Sequence, residues 1–166
     1  MFGIGDTIVY GFEGVFTVSE YTSSPIDKND KRVFYILTPI FGSSGNIIVA
    51  PSEGGATSMR PVISKEEAMD FVELIPSILP VVVEKERNRR DVYKAVMNNG
   101  SCSDYVSIIK TVRCRREEVM AQKRRISETD ADFEGMAKRC LYSELSVAMD
   151  LPYVEIESLI MEKLNK

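Results

Sequence analysis

The chain has 166 residues, 44% hydrophobic and 28% charged, with a net charge of −4, which fits one medium or two small soluble domains and excludes a disordered polymer. Histidine is absent, so Ser-His and Cys-His nucleophile pairs and the commonest general base and metal ligand are excluded. Three cysteines, Cys102, Cys114 and Cys140, are too few and too scattered for a disulfide framework or a zinc site.

The first 62 residues read as strands. Residues 6–10 (DTIVY) are β-prone, Gly11 to Gly14 mark a turn, and residues 15–21 (VFTVSEY) alternate apolar and polar positions as a half-buried strand does. A polar loop at 25–30 leads to the strongest strand, residues 32–38 (RVFYILT). A Gly42–Gly45 turn follows, then residues 46–50 (NIIVA), and a short strand over 59–62. Five short strands with tight turns predict a small bent barrel of SH3 or Tudor type.

At Ser64 the hydrophobic period changes from two to 3.6, with Glu67 placed to complete a capping box. Ala68, Phe71, Val72 and Ile75 give a first apolar face that ends at Pro76. Residues 76–84 form a Pro-containing connector. A second helix spans 88–97 and stops at Asn98-Asn99-Gly100. A third spans 104–122, its buried face carrying Tyr105, Ile108, Ile109, Val112, Val119 and Met120. Ser127 caps a fourth with Phe133, Met136, Ala137, Cys140, Leu141, Leu145 and Ala148. After Leu151-Pro152 a last helix carries Ile156, Leu159, Ile160 and Leu164. The fold class expected is α+β in two domains, a barrel over residues 1–62 and a compact five-helix domain over 63–166. The cysteines fall beside apolar helical positions and read as small core-lining residues.

Nothing here reads as an enzyme: no phosphate loop, metal cluster or cofactor motif is present, and the carboxylates lie at the spacing of solvated helix faces. The N-terminus has no secretory character, and no apolar run approaches the roughly 20 residues of a bilayer span, so a cytoplasmic location is expected. The charge is uneven. Residues 85–125 hold twelve Lys/Arg and five Asp/Glu, whereas residues 126–166 hold four and nine. A basic middle between acidic ends is the local footprint that could meet phosphate, or it is an ordinary solvated helix surface.

The order of motifs resembles the CarD family of bacterial transcription regulators (CarD/CdnL/TRCF type). Ile4-Gly5-Asp6-Thr7-Ile8-Val9-Tyr10 followed by Glu13-Gly14-Val15 is similar to that family's opening, with Gly11 and Glu13 where it has a proline and a histidine. Met59-Arg60-Pro61-Val62-Ile63-Ser64 resembles its interdomain junction. Asn88-Arg89-Arg90 resembles a Trp-Asn/Ser-Arg-Arg motif, and Arg125-Ile126-Ser127, Met136-Ala137 and Glu144-Leu145 resemble the closing helix.

The resemblance implies a Tudor-like domain that docks on the RNA polymerase β subunit and a helical domain that contacts promoter DNA without sequence readout, changing open-complex stability. It implies no cofactor. The residues expected on DNA are Arg87, Asn88, Arg89, Arg90 and Lys94, then Arg113, Arg116, Lys123, Arg124 and Arg125. Those expected on polymerase are Arg32, Tyr35, Ile47 and Val49. The chain departs from the family in having no tryptophan. Arg87 stands where the family's wedging Trp falls, and Val49 where a basic residue is usual. The rival class is a protein–protein adaptor that uses the barrel alone.

Overall fold

A computed structural model describes residues 1–42 and 47–166. The chain divides into two compact units, Met1–Val62 and Ile63–Lys166.

The first unit is one antiparallel sheet. Its strands are β1 (Thr7–Tyr10), β2 (Gly14–Thr22), β3 (Phe34–Pro39), β4 (Ile48–Pro51) and β5 (Met59–Pro61), in the order β4-β3-β2-β1-β5. Among the described residues β4 and β5 are not paired to each other, so the hydrogen-bonded sheet is open where a closed barrel was expected. Of the expected turn at 42–45 and strand at 46–50, residues 43–46 lie outside the described residues. Alternation places Ile8, Phe16, Val18, Tyr35, Leu37 and Ala50 in one core. The β2–β3 register shifts between Val18 and Glu20, and beside that shift the Ser19 and Thr38 hydroxyls bond at 2.7 Å.

The backbone at Gly11 excludes a proline. Its φ is +48°, which proline's ring cannot adopt, and its N–H donates to Ser58 O at 2.9 Å, a bond proline cannot make. A Cβ there would also lie 2.5 Å from Thr57 Cγ2.

The second unit holds α1 (Lys65–Leu74), α2 (Arg89–Asn99), α3 (Cys102–Ala121), α4 (Glu128–Met149) and α5 (Tyr153–Leu164). The Ser64–Glu67 capping box forms as expected. α3 starts earlier than its periodicity announced, because Ser101 and Asp104 make a second capping box. Gly100, in the left-handed region at φ +70°, ends α2. Tyr93, Tyr105, Ile108, Ile109, Leu141, Leu145, Ile156 and Ile160 are fully buried in a shared core. Two expectations about side chains fail. Met120 is 64% exposed, and Cys114 is exposed while Cys102 and Cys140 are buried. Both lie on α3 beyond the two-turn stretch of Tyr105 to Val112 that meets the core, where a long helix can leave an apolar side chain in solvent.

The connector is pinned to α3 by polar groups and not left as a loose loop. Lys110 Nζ donates to the carbonyls of Ile75 (2.6 Å), Pro76 (3.1 Å) and Ile78 (2.7 Å), and Val81 N–H donates to Thr111 Oγ1 at 2.7 Å. Burial lowers the Lys110 pKa, but the three carbonyls satisfy its donors. Among the described residues no helix is long and apolar enough to cross a membrane.

Candidate nucleic-acid interface

The basic middle of the helical unit is organised around one buried carboxylate. Asp130, in the first turn of α4 after the Ser127 cap, is fully buried. It accepts from Tyr93 Oη at 2.8 Å, Arg115 Nε at 3.1 Å and Ser127 Oγ at 3.0 Å. Arg89 Nη1 lies 3.6 Å from Asp130 Oδ1, the oxygen that takes the Tyr93 hydroxyl, and donates to Tyr93 Oη at 2.7 Å. Glu86 closes the ring from the short 3-10 helix Glu86–Asn88, accepting from Arg89 at 2.6 and 3.0 Å and from Arg115 at 3.0 Å. Two guanidiniums thus share two carboxylates and a phenol, the arrangement that lets a buried charge survive desolvation.

The titration of these groups follows from the geometry. Burial pushes the Asp130 carboxyl up, but hydrogen bonds from Tyr93, Ser127 and Arg115 with the Arg89 charge outweigh it and hold the pKa below the usual range. The Arg89 hydrogen bonds hold Glu86 down as well. Burial, with the Asp130 carboxylate, raises the Tyr93 phenol to about 12, so it stays a donor at neutral pH.

The ten DNA candidates separate into two sets. Arg89 is 7% exposed and its donors are committed to Glu86 and Tyr93, so it belongs to the clasp and is withdrawn from the DNA surface. Arg116 is held bidentately by Glu134, with N–O distances of 3.1 and 2.5 Å, and Arg113 donates to Asn165 Oδ1 at 2.6 Å, so these two point their charge at α4 and the C-terminal end of the chain. Asn88 is exposed and starts α2 without a side-chain cap bond. Arg87, Arg90, Lys94, Lys123, Arg124 and Arg125 are exposed and have no carboxylate partner among the described residues.

Those six cations form two runs tied to the same node. Arg90 and Lys94 lie on the solvent side of α2, one residue out of phase with Arg89, Tyr93 and Met97, which are buried, and Arg87 is exposed in the 3-10 helix just before it. Lys123 takes φ +57° and ends α3, with its N–H on Met120 O and the Arg124 N–H on Val119 O at 2.9 and 2.7 Å. The chain leaves the helix there, exposing Arg124 and Arg125 just before Ser127. The clasp therefore fixes the start of α2 to the start of α4, and a basic run flanks each.

In the sheet unit the polymerase candidates also divide. Tyr35 is fully buried, and its hydroxyl accepts the Phe2 N–H at 2.8 Å, so it is a core residue and not a contact. The strand that carries it, β3, is paired on both sides and offers no free backbone edge. Arg32 pairs with Asp30 at 2.7 Å and reaches the carbonyls of Glu53 and Gly54, joining two loops. Ile47 and Val49 are exposed, and β4 is an edge strand. The other edge, β5, is three residues long and ends at Pro61, which lacks a donor.

The sequence reading missed Arg115 and Asp130, the two charged residues that make the clasp a network. The usable signal was the i, i+4, i+8 spacing of Arg89, Tyr93 and Met97, which puts an arginine on an apolar face and demands a buried partner. Among known proteins, no family model matches the chain and no curated protein shows significant similarity to it.

Proposed function

We propose that this chain is a non-enzymatic transcription regulator of CarD type. Its sheet unit, taken as a Tudor-like module, docks on the RNA polymerase β subunit through β4, and its helical unit binds promoter DNA without sequence readout. The observation that carries the reading is the pair of unpartnered cationic runs, Arg87/Arg90/Lys94 and Lys123/Arg124/Arg125, anchored on one buried node. Cations left without counter-charges neutralise phosphates well, and contacts to phosphate alone read no base. The β4 edge, with Ile47 and Val49 exposed, supports docking by strand addition.

The test is binding of the full chain to a forked duplex across a salt series. Six phosphate contacts give a slope of about −5 in log affinity against log salt, at roughly 0.9 per phosphate. Arg90→Glu with Arg124→Glu should lower affinity on every sequence alike and reduce the slope by about 2. A slope near zero, or no binding at low salt, removes DNA from the function. If core polymerase is still captured under those conditions and Val49→Asp abolishes the capture, the adaptor reading replaces it.

A further inference from the structure

The placement of the aromatic rings in the helical unit decides which state of DNA its cations can hold. We infer that the ligand of this unit is the closed double helix, and that unpaired strands bind it poorly. This rests on the phosphate-binding reading of Arg87, Arg90, Lys94, Lys123, Arg124 and Arg125, and adds to it the state of the DNA.

A protein that holds unpaired strands combines cations for the backbone with exposed aromatic rings on which the bases stack. The helical unit has six aromatic residues. Tyr93, Tyr105, Phe133 and Tyr142 are buried in its core, and Phe71 and Tyr153 pack half-buried against that core. The rings meet each other: Tyr93 lies edge-on to Phe133 with centroids 5.4 Å apart, and Tyr142 to Tyr153 at 5.6 Å. On α2 the contrast falls within one turn. Arg90 and Lys94 face solvent, while the Tyr93 ring between them turns inward and its hydroxyl donates to Asp130. Phe71 and Tyr153 sit on α1 and α5, helices that carry none of the six cations. The apolar side chains most exposed nearest the basic segment, Leu79, Val82 and Met120, have no π face to offer a base.

Charge then decides between the two states. The duplex carries one phosphate charge per roughly 1.7 Å of axis and a single strand half that density, so each contact releases about 0.9 counterion from the duplex and about 0.7 from a single strand. Over six contacts the slopes in log affinity against log salt differ by about 1.2, which is about 15-fold at about 0.1 M salt relative to 1 M. In a single-strand binder, stacking offsets that deficit by roughly 5- to 150-fold for each base held on a ring. In this unit the rings are committed to the core, so the electrostatic preference for the duplex stands.

The test uses the full chain and one mixed-sequence oligonucleotide, offered as single strand, closed duplex and fork, with binding read by fluorescence anisotropy. At about 0.1 M salt the duplex should bind at least about tenfold tighter than the single strand, and the fork no tighter than the duplex. Gln122→Tyr adds a ring at the exposed C-terminal end of α3, beside Lys123, and leaves all six cations in place. It should raise single-strand affinity by roughly fivefold or more. If that variant does not fold, the comparison of the three DNAs on the unaltered chain decides alone. A single strand bound as tightly as the duplex, a fork bound more tightly than the duplex, or a folded Gln122→Tyr with unchanged single-strand affinity overturns the inference and leaves the phosphate reading standing. Failure of all three DNAs to bind at low salt removes the phosphate reading itself.

Discussion

Asp130→Asn is the sharpest test of the clasp. The substitution keeps shape and volume but removes the charge of the buried one of the two carboxylates, Asp130 and Glu86, that face both Arg89 and Arg115. Asp130 is fully buried and Arg89 side-chain atoms are 9% exposed, so water cannot compensate. Removing one partner of a buried ion pair costs about 3–5 kcal/mol. The lower end applies here, because Glu86 still accepts from both arginines and the Asn Oδ1 can still take the Tyr93 hydroxyl. About 3 kcal/mol in a unit of this size lowers its melting temperature by on the order of 10–20 °C. Thermal unfolding followed by helical circular dichroism at neutral pH measures it. The double-mutant cycle with Arg89→Met isolates the pair and should give a coupling of about 1–3 kcal/mol. A melting shift of a degree or two, or a coupling near zero, would mean that the charges are solvated and that the ring of hydrogen bonds does not hold α2 to α4.

Thr111→Val removes the only acceptor shown for the Val81 N–H, so the helical unit should lose about 1–2 kcal/mol and the Val81 amide should exchange faster with solvent. Asp130, Glu86 and Glu134 all have depressed pKa values in the folded state, so their stabilisation is complete above the unfolded carboxyl pKa of about 4 and is lost as pH falls through the folded values. Urea unfolding of the helical signal should accordingly be unchanged between pH 7 and 5 and fall below pH 4, with a smaller fall in Asp130→Asn; an equal fall would place the acid sensitivity elsewhere. Arg87→Trp exchanges an exposed charge for a flat apolar group, so affinity for closed duplex should drop slightly while preference for a fork rises, as competition between the two DNAs would show.

Much of the architecture was legible because each element carries its own period and its own punctuation. The sheet alternates with period two, Ser64 and Ser127 cap helices, and Gly100 ends one. What the sequence did not settle depends on neighbours distant in the chain. Whether five strands close depends on ladders between β4 and β5, which no local pattern encodes. Met120 fits the periodicity of α3 and is nevertheless exposed, because the core partners of α3 are concentrated nearer its N-terminus. Tyr35 was expected on polymerase from the resemblance, yet alternation with Leu37 already placed it on the core face.

The basic segment shows why composition alone misassigns a phosphate surface. Arg89 and Arg90 are chemically identical neighbours, and a charge count weighs them equally. Helical phase separates them by about 100°. That rotation puts Arg89 over Tyr93 and Met97, where a guanidinium must find carboxylates or not fold, and puts Arg90 with Lys94 on the solvent side, where no carboxylate among the described residues pairs with it. The two fates depend on each other. The buried arginine, held by Glu86 and Asp130, fixes the start of α2, and that fixed start is what aligns the exposed cations. A substitution at Arg89 should therefore weaken DNA binding without any contact to DNA, by loosening the helix that presents Arg90. Its signature would be a salt slope close to that of the unaltered chain, with lower affinity at every salt concentration, whereas charge reversal at Arg90 changes the slope itself.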